Sequence, residues 1–318
     1  MNGVKNILFD LNIDGDCTNL GSLAVLNILA NEGKARMLAT TACFNSPLAT
    51  GCIRAINHYY GNDDVPVGIL HRQDETHPTP FMKPVVATFR PDHPDGEEAP
   101  DTVDVMRKAL AAEPDDSVVL VISGCFASFA ALLQSGPDEI SPLSGQELAE
   151  RKITRVVIMA GHFTTFEPKV YAENNVVVQI PAAQYVVTHW KKELVLADYG
   201  LGVRTRSLKE FRFHGSEDHP LRMMYRIHDG DEAGATAEWA LDGNPSWDHT
   251  AVMEGVEPGK YFDYHEYGDI EVDDAGNTIW HEKEGGRHTY LLPKMPLDEV
   301  AATINDMIFP EWRQFAEK

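Results

Sequence analysis

The sequence predicts an α/β fold with a mostly parallel central sheet flanked by helices. Three observations carry that expectation. Short continuous apolar runs recur along the chain, segments with helical spacing lie between them, and small polar residues follow directly after several of the runs. Buried apolar strands alternating with helices of about ten residues make right-handed βαβ units. Such sheets bind ligands at the carboxyl ends of their strands.

In chain order, Val4 to Phe9 reads as a strand and runs into an acidic loop. Leu20 to Asn31 places Leu, Ala and Ile at helical spacing, and Ala35 to Thr41 is the second strand. Leu48 to Tyr60 is a helix, and Val65 to Ile69 a third strand. A Pro-, His- and Asp-rich stretch from His77 to Pro100 precedes a helix from Thr102 to Ala112. Ser117 to Ser123 and Arg155 to Met159 are apolar enough to be buried on both faces, with a helix from Phe126 to Gln134 between them. Pro181 to His189 reads as helix and Glu193 to Ala197 as strand. Ser207 to Gly243 is polar and helical in parts. Tyr261 to Tyr290, with the turn Asp274-Ala275-Gly276-Asn277, reads as a small C-terminal β-hairpin, and Leu297 to Ile308 as a closing amphipathic helix. No repeat or linker interrupts the pattern, so the expectation is one domain over residues 1–318.

Composition narrows the function. Lys plus Arg number 27 and Asp plus Glu 49, a formal charge of −22, with 43% hydrophobic residues. That is enough apolar content for a full core. The acidic balance argues against nucleic acid as a partner and against binding to anionic membranes. No apolar run approaches the roughly 20 residues that span a bilayer. Cys17, Cys43, Cys52 and Cys125 form no C-x-x-C. Few, unevenly spaced thiols and a first strand where a signal peptide would lie fit a reduced, cytoplasmic setting.

The densest cluster of chemistry is Asp10-Leu11-Asn12-Ile13-Asp14-Gly15-Asp16, three carboxylates and an amide on a turn at a strand end. Closely spaced oxygens suit a hard cation such as Ca²⁺ or Mg²⁺. The run matches the first half of an EF-hand loop, but Gly21 stands where the bidentate Glu belongs and a strand precedes it. An Asp-x-Asp phosphatase signature fails because Asn12 replaces the second Asp. An Asx-rich turn that satisfies its own backbone is the plainer alternative.

Together with later segments, the loop resembles the inosine/uridine-preferring nucleoside hydrolase family, and most closely a divergent branch of it. The branch motif Asp-Thr-Asp-(Ile/Met)-Gly-x-Asp-x-Asp-Asp reads here Asp10-Leu11-Asn12-Ile13-Asp14-Gly15-Asp16-Cys17-Thr18-Asn19. Further matches are Thr40-Thr41-Ala42-Cys43-Phe44-Asn45, Ile122 to Leu132, Ser141-Pro142-Leu143, Val156 to Gly161, Glu173-Asn174-Asn175 and Ser246 to Val252, in family order over nearly the whole chain. The resemblance implies a Rossmann-like fold and hydrolysis of an N-ribosyl bond. It implies a Ca²⁺ ion that orients a water and binds the ribose hydroxyls, through an oxocarbenium-like state. It also implies a homodimer or homotetramer.

Carried over by residue, Asp10 matches the first Asp. Asn12 stands where the family has its ligand and base Asp, and Thr18 and Asn19 replace an Asp pair. Asp10, Asn12, Asn19, Ala127 (through its carbonyl) and Asp248 are the implied metal positions. Asn45, Glu173, Asn175, His162 and Trp247 are the implied substrate contacts. Asn cannot ionise or act as a general base near neutral pH, and Ca²⁺ affinity depends on ligand charge. Calcium is therefore expected to bind weakly or not at all. Asp14, an added carboxylate, is a candidate with Asp10 and Asp16 for a shifted cation site or for the base. Three outcomes stay open: a calcium-dependent ribosyl hydrolase of the usual family kind, a ribosyl hydrolase with an altered metal site, or a catalytically silent relative that binds a ribosylated small molecule. His219, Tyr225 and His228 are either base-pocket residues or ordinary surface groups. The His71 to His77 loop reads as solvated, and Cys17 and Cys125 as packing beside the pocket.

Overall fold

The structure is a computed structural model that describes residues 3–13, 16–71, 79–163, 172–230 and 241–316. Its strands are β1 (Lys5–Leu11), β2 (Ala35–Ala42), β3 (Val67–Ile69), β4 (Val118–Ser123), β5 (Ile153–Met159), β6 (Leu194–Ala197), β7 (Arg206–Ser207), β8 (Asn244–Pro245), β9 (Phe262–Val272), β10 (Thr278–Glu282) and β11 (His288–Pro293). Nine of them form one sheet in the order β10-β9-β11-β6-β5-β4-β1-β2-β3. The run from β11 to β3 is parallel throughout, and β9 pairs antiparallel with both β10 and β11. From β1 the chain winds outward to β2 and β3, then returns to β4 on the other side of β1. This reversal opens a crevice at the carboxyl ends of β1 and β4, where α/β sheets place their sites.

The expected strands and helices are present, and three features differ. The segment read as a hairpin is three strands that extend the central sheet, because β11 adds in parallel to β6. Met82–Phe89 is a helix inside the Pro-rich stretch, while residues 72–78 lie outside the described residues. Trp247–Val256 is a helix with nine of its ten residues buried, so it has no polar face to betray its period.

Alternation along the strands explains the core. Ile7, Phe9 and Leu11 of β1 join Val119 and Val121 of β4 on one face, with the helices Thr18–Asn31, Pro47–Tyr59, Trp247–Val256 and Leu297–Ile308. Leu8, Leu120 and Ile122 point to the other face, with Thr102–Ala112, Ala127–Gln134, Gly145–Lys152 and Ile180–His189. Sheets covered on both faces need apolar residues on both sides of their strands, and the inner stretches of β1, β4 and β5 supply them.

One close approach sets the floor of the crevice. A Cβ built on Gly124, just past β4, would lie 2.8 Å from the backbone N of Asn12 and 2.9 Å from the carbonyl carbon of Leu11. Only glycine lets the ends of β1 and β4 meet this closely. Gly124→Ala is expected to cost about 1–3 kcal/mol in urea unfolding, as overpacking against backbone does. Gly136→Ala, where nothing lies within 4 Å, should stay within about 0.5 kcal/mol of the parent. Equal costs for the two would refute the close-packing argument.

Candidate functional site

A cavity of about 370 Å³ opens at the carboxyl ends of β1, β4, β5 and β6. Its floor is the loop after β1 and the first turn of the Thr18–Asn31 helix, which contribute Asn12, Asp16 and Asn19. Asp16 Oδ1 accepts the Thr18 backbone N–H (2.8 Å) and the Thr18 hydroxyl (2.7 Å). It thereby supplies an acceptor to the open amide end of that helix. The Thr18 hydroxyl also lies 2.5 Å from Asp248 Oδ2, on the first turn of the Trp247–Val256 helix. A hydroxyl has one proton, so both contacts form together only when one of the two carboxyls is protonated. Complete burial and the neighbouring Asp16 carboxylate raise Asp248 well above the ordinary carboxylate range. The Thr18 hydroxyl donates to one carboxyl at a time, and with Asp248 protonated it bridges the two.

The amides that replace family carboxylates are engaged in the protein itself. Asn19 Oδ1 accepts the Asn12 backbone N–H (3.0 Å) and the Ser123 hydroxyl (3.3 Å), while its Nδ2 reaches Asp16 (3.4 Å). Asp10 lies beneath, fully buried, with Oδ1 accepting from the Thr41 hydroxyl (2.7 Å) of the paired position in β2. Burial pushes its carboxyl up to about 7, against the pull of the Thr41 bond. Its Oδ2 has no hydrogen-bond partner among the described residues.

Opposite, the end of β5 holds the second set. Glu173 caps the Asn174–Val177 turn by accepting from Asn175 N (2.9 Å), and its other oxygen accepts from Gly161 N (3.3 Å). Burial pushes it up to about 7, although these backbone bonds oppose the shift. The Asn175 amide is aimed by Met159, donating to its carbonyl O (3.0 Å). An aromatic wall completes the cavity. Trp247 stacks on Tyr199 with centroids 5.5 Å apart and donates Nε1–H to the Tyr199 carbonyl (3.1 Å). Asp198, at the end of β6, accepts from Leu201 N (3.0 Å) and starts the Tyr199–Arg204 helix that carries Tyr199.

The residues singled out from sequence fall in three groups. Asn12, Asp16, Asn19, Glu173, Asn175, Trp247 and Asp248 line the cavity together. Asp10 and Ala127 are buried behind it, His162 packs against the far side of Tyr199 (5.2 Å), and Asn45 is half-buried after β2; none of the four is a lining residue. Asp14 lies outside the described residues. His228 lines the cavity, whereas His219 caps the Pro220–His228 helix and is pushed down to about 3 by burial. Tyr225 is buried in the core. Sequence reasoning missed Tyr199 and Asn244. Tyr199 follows a strand end, the signal that located the others. Asn244 sits in β8, a two-residue strand with no pattern to read.

These residues do not fit the calcium centre that the resemblance implies. Of the five implied positions only Asp10 and Asp248 keep a carboxylate, and Asp10 does not line the cavity. The Asn19 oxygen is turned to Asn12 and Ser123. Among the described residues, Asp10, Asp16 and Asp248 form no group whose donor atoms all lie within 4.8 Å of one another. Hard cations need several charged oxygens converging at about 2.4 Å from one point.

The fold and the cavity together define a class: an α/β protein with a sheet-edge pocket lined by carboxyls, amides and an aromatic wall. The sequence matches the family model described as inosine-uridine preferring nucleoside hydrolase over residues 13–305, so the chain belongs to that family. No curated protein matches its sequence. Solved structures share its fold. An inosine-uridine preferring nucleoside hydrolase from Bacillus anthracis is 14% identical, covers 96% of this chain and 99% of its own, and has a TM-score of 0.67. A plant nucleoside hydrolase is 15% identical, with coverage of 96% and 98% and a TM-score of 0.70. The type III effector protein XopQ, solved in complex with adenosine diphosphate ribose, is 12% identical, with coverage of 97% and 94% and a TM-score of 0.66.

The raised Glu173 carboxyl has a pH signature. A carboxyl whose folded value lies above its unfolded value contributes fully below the unfolded value, about 4.5, and loses that contribution as pH rises through about 7. Stability is expected to fall by about 3 kcal/mol across this window from Glu173 alone. Urea unfolding of the parent and of Glu173→Gln between about pH 5 and 8 tests it; identical slopes would refute the assignment.

Proposed function

We propose that the protein binds a neutral ribonucleoside or a related N-ribosyl compound in this cavity, without the calcium-bound water of its family. The observation that carries this reading is the Thr18 hydroxyl, which joins Asp16 to Asp248 where the family motif has a carboxylate. Ribose hydroxyls both donate and accept, and Asp16, Asn12, Glu173 and Asn175 offer partners of both kinds. The Tyr199–Trp247 wall offers a face to a base. Asp16, Glu173 and Asp248 line the cavity, and no Lys or Arg does so among the described residues. Phosphate would lack a cation there, so a nucleoside is favoured over adenosine diphosphate ribose.

Calorimetric titration with inosine, uridine and adenosine diphosphate ribose tests the reading. The nucleosides are expected to bind, and Trp247→Ala to weaken them by about tenfold or more. Tighter binding of adenosine diphosphate ribose, or no binding of any of the three, would overturn it. Chromatography of the incubated nucleosides follows free base, with and without a chelator.

A second reading rests on the same Thr18 link. A protonated Asp248 beside Asp16 is an acid and a base in one site, the pairing that glycoside hydrolysis uses. Base release that persists in chelator and disappears in Asp248→Asn would favour this metal-independent hydrolysis. No release under either condition favours binding alone.

The missing charge can also be restored. Asn12→Asp, Thr18→Asp and Asn19→Asp together are expected to create Ca²⁺ binding that the parent lacks, read by calorimetry. Equal Ca²⁺ affinity in parent and triple variant would show that the loop already holds the ion.

A further inference from the structure

The loop that leads into the first helix also faces a group of softer donors that the ribosyl reading does not use. Cys17, His228 and Asp229 each bring one donor atom to within 4.8 Å of the others. They come from opposite ends of the fold: Cys17 just before the Thr18–Asn31 helix, His228 and Asp229 at the end of the Pro220–His228 helix. His228 Nδ1 lies 3.1 Å from Asp229 Oδ1. Cys17 and Asp229 are buried, whereas His228 lines the cavity.

A second set of contacts orients the donors. Arg212, itself buried, donates to Asp229 Oδ2 (2.8 Å) and fixes the carboxylate. Asn244 Nδ2 donates to both Asp229 oxygens (3.0 Å each) and approaches Cys17 Sγ at 4.0 Å. Asn244 is 2% exposed and lines the cavity, and its Oδ1 has no partner among the described residues. Outer partners of this kind hold ligating side chains in metal sites.

We propose that Cys17, His228 and Asp229 form a site for one borderline-soft divalent ion of the zinc, cobalt or nickel class, with its fourth position open to the cavity. Thiolate, imidazole and carboxylate together select such ions over calcium. Bond lengths of about 2.0–2.3 Å set tetrahedral donor separations near 3.5 Å, so side-chain shifts of about an ångström close the site. As the ion binds, Cys17 gives its thiol proton to solvent and the sulfur lone pair forms the new bond. One thiolate and one carboxylate face the ion's two charges, and with the Arg212 guanidinium on Asp229 the group carries a net charge of +1, which suits an anionic or hydroxide ligand at the open position. Three protein ligands with one open position is the arrangement of ions that hold a water or ligand rather than a fold. The site does not depend on the ribosyl reading.

Titration of the full-length apoprotein with Co²⁺, followed by absorption, tests the proposal. One ion per chain is expected, with a thiolate-to-cobalt charge-transfer band that Zn²⁺ displaces and Ca²⁺ does not. Cys17→Ser should abolish the band and Cys52→Ser, at a buried thiol elsewhere in the core, should keep it. His228→Gln should weaken binding by at least the roughly 10–100-fold lost with an outer partner. Melting curves establish that each variant is folded, and His228→Gln decides alone if Cys17→Ser is not. No stoichiometric binding, displacement by Ca²⁺, or unchanged affinity in His228→Gln would overturn the proposal.

Discussion

The arrangement of the site depends on one hydroxyl. Thr18 Oγ1 lies between Asp16 Oδ1 and Asp248 Oδ2, and so ties the loop after β1 to a helix 230 residues further along the chain. In the family motif that position carries a carboxylate. A carboxylate there would face two others and need a cation to hold the three together. A hydroxyl needs only one proton on one neighbour. Here a hydrogen-bonded hydroxyl joins the loop to the Trp247–Val256 helix.

Asn19 presents its oxygen to the Asn12 backbone N–H and the Ser123 hydroxyl. Asp10 stays beneath the floor in a setting that favours its protonated form. Of the 49 acidic side chains, those at the cavity contribute less negative charge than their number implies, because burial holds Glu173 and Asp248 towards protonation. The surplus charge of the chain belongs to its solvated surface, where it favours solubility and leaves the fold unaffected.

Much of this was legible in the sequence. Strands buried on both faces need unbroken apolar runs, so β1, β2, β4, β5 and β6 declared themselves, and the polar residues at their ends located the cavity. The parts that escaped share a cause: their partners are distant in the chain. Strand β11 looked like half of a hairpin because its pairing with β6 leaves no local trace. The Trp247–Val256 helix is buried all round and has no amphipathic period. Asn244 acquires its role only when β8 meets β7 beside the cavity. Asn45, Asp10 and Ala127 came from the family pattern, and His162 from its place just after a strand end. The structure places them near strand ends but behind or beside the cavity, because a motif fixes backbone position and neighbouring side chains decide which groups reach the opening.

The distance between Thr18 and Asp248 along the chain also bears on how the molecule comes into being. Local helices and the inner strands can pair as soon as they leave the ribosome, whereas a contact spanning 230 residues waits for nearly the entire polypeptide. Until then the Thr18 hydroxyl reaches Asp16 but not Asp248, and the cavity lacks the side that Trp247 and Asp248 supply. Completion of the cavity is thus among the last steps of synthesis and folding. A nascent chain, even one with most of its sheet in place, carries an incomplete cavity until the Trp247–Val256 helix has emerged.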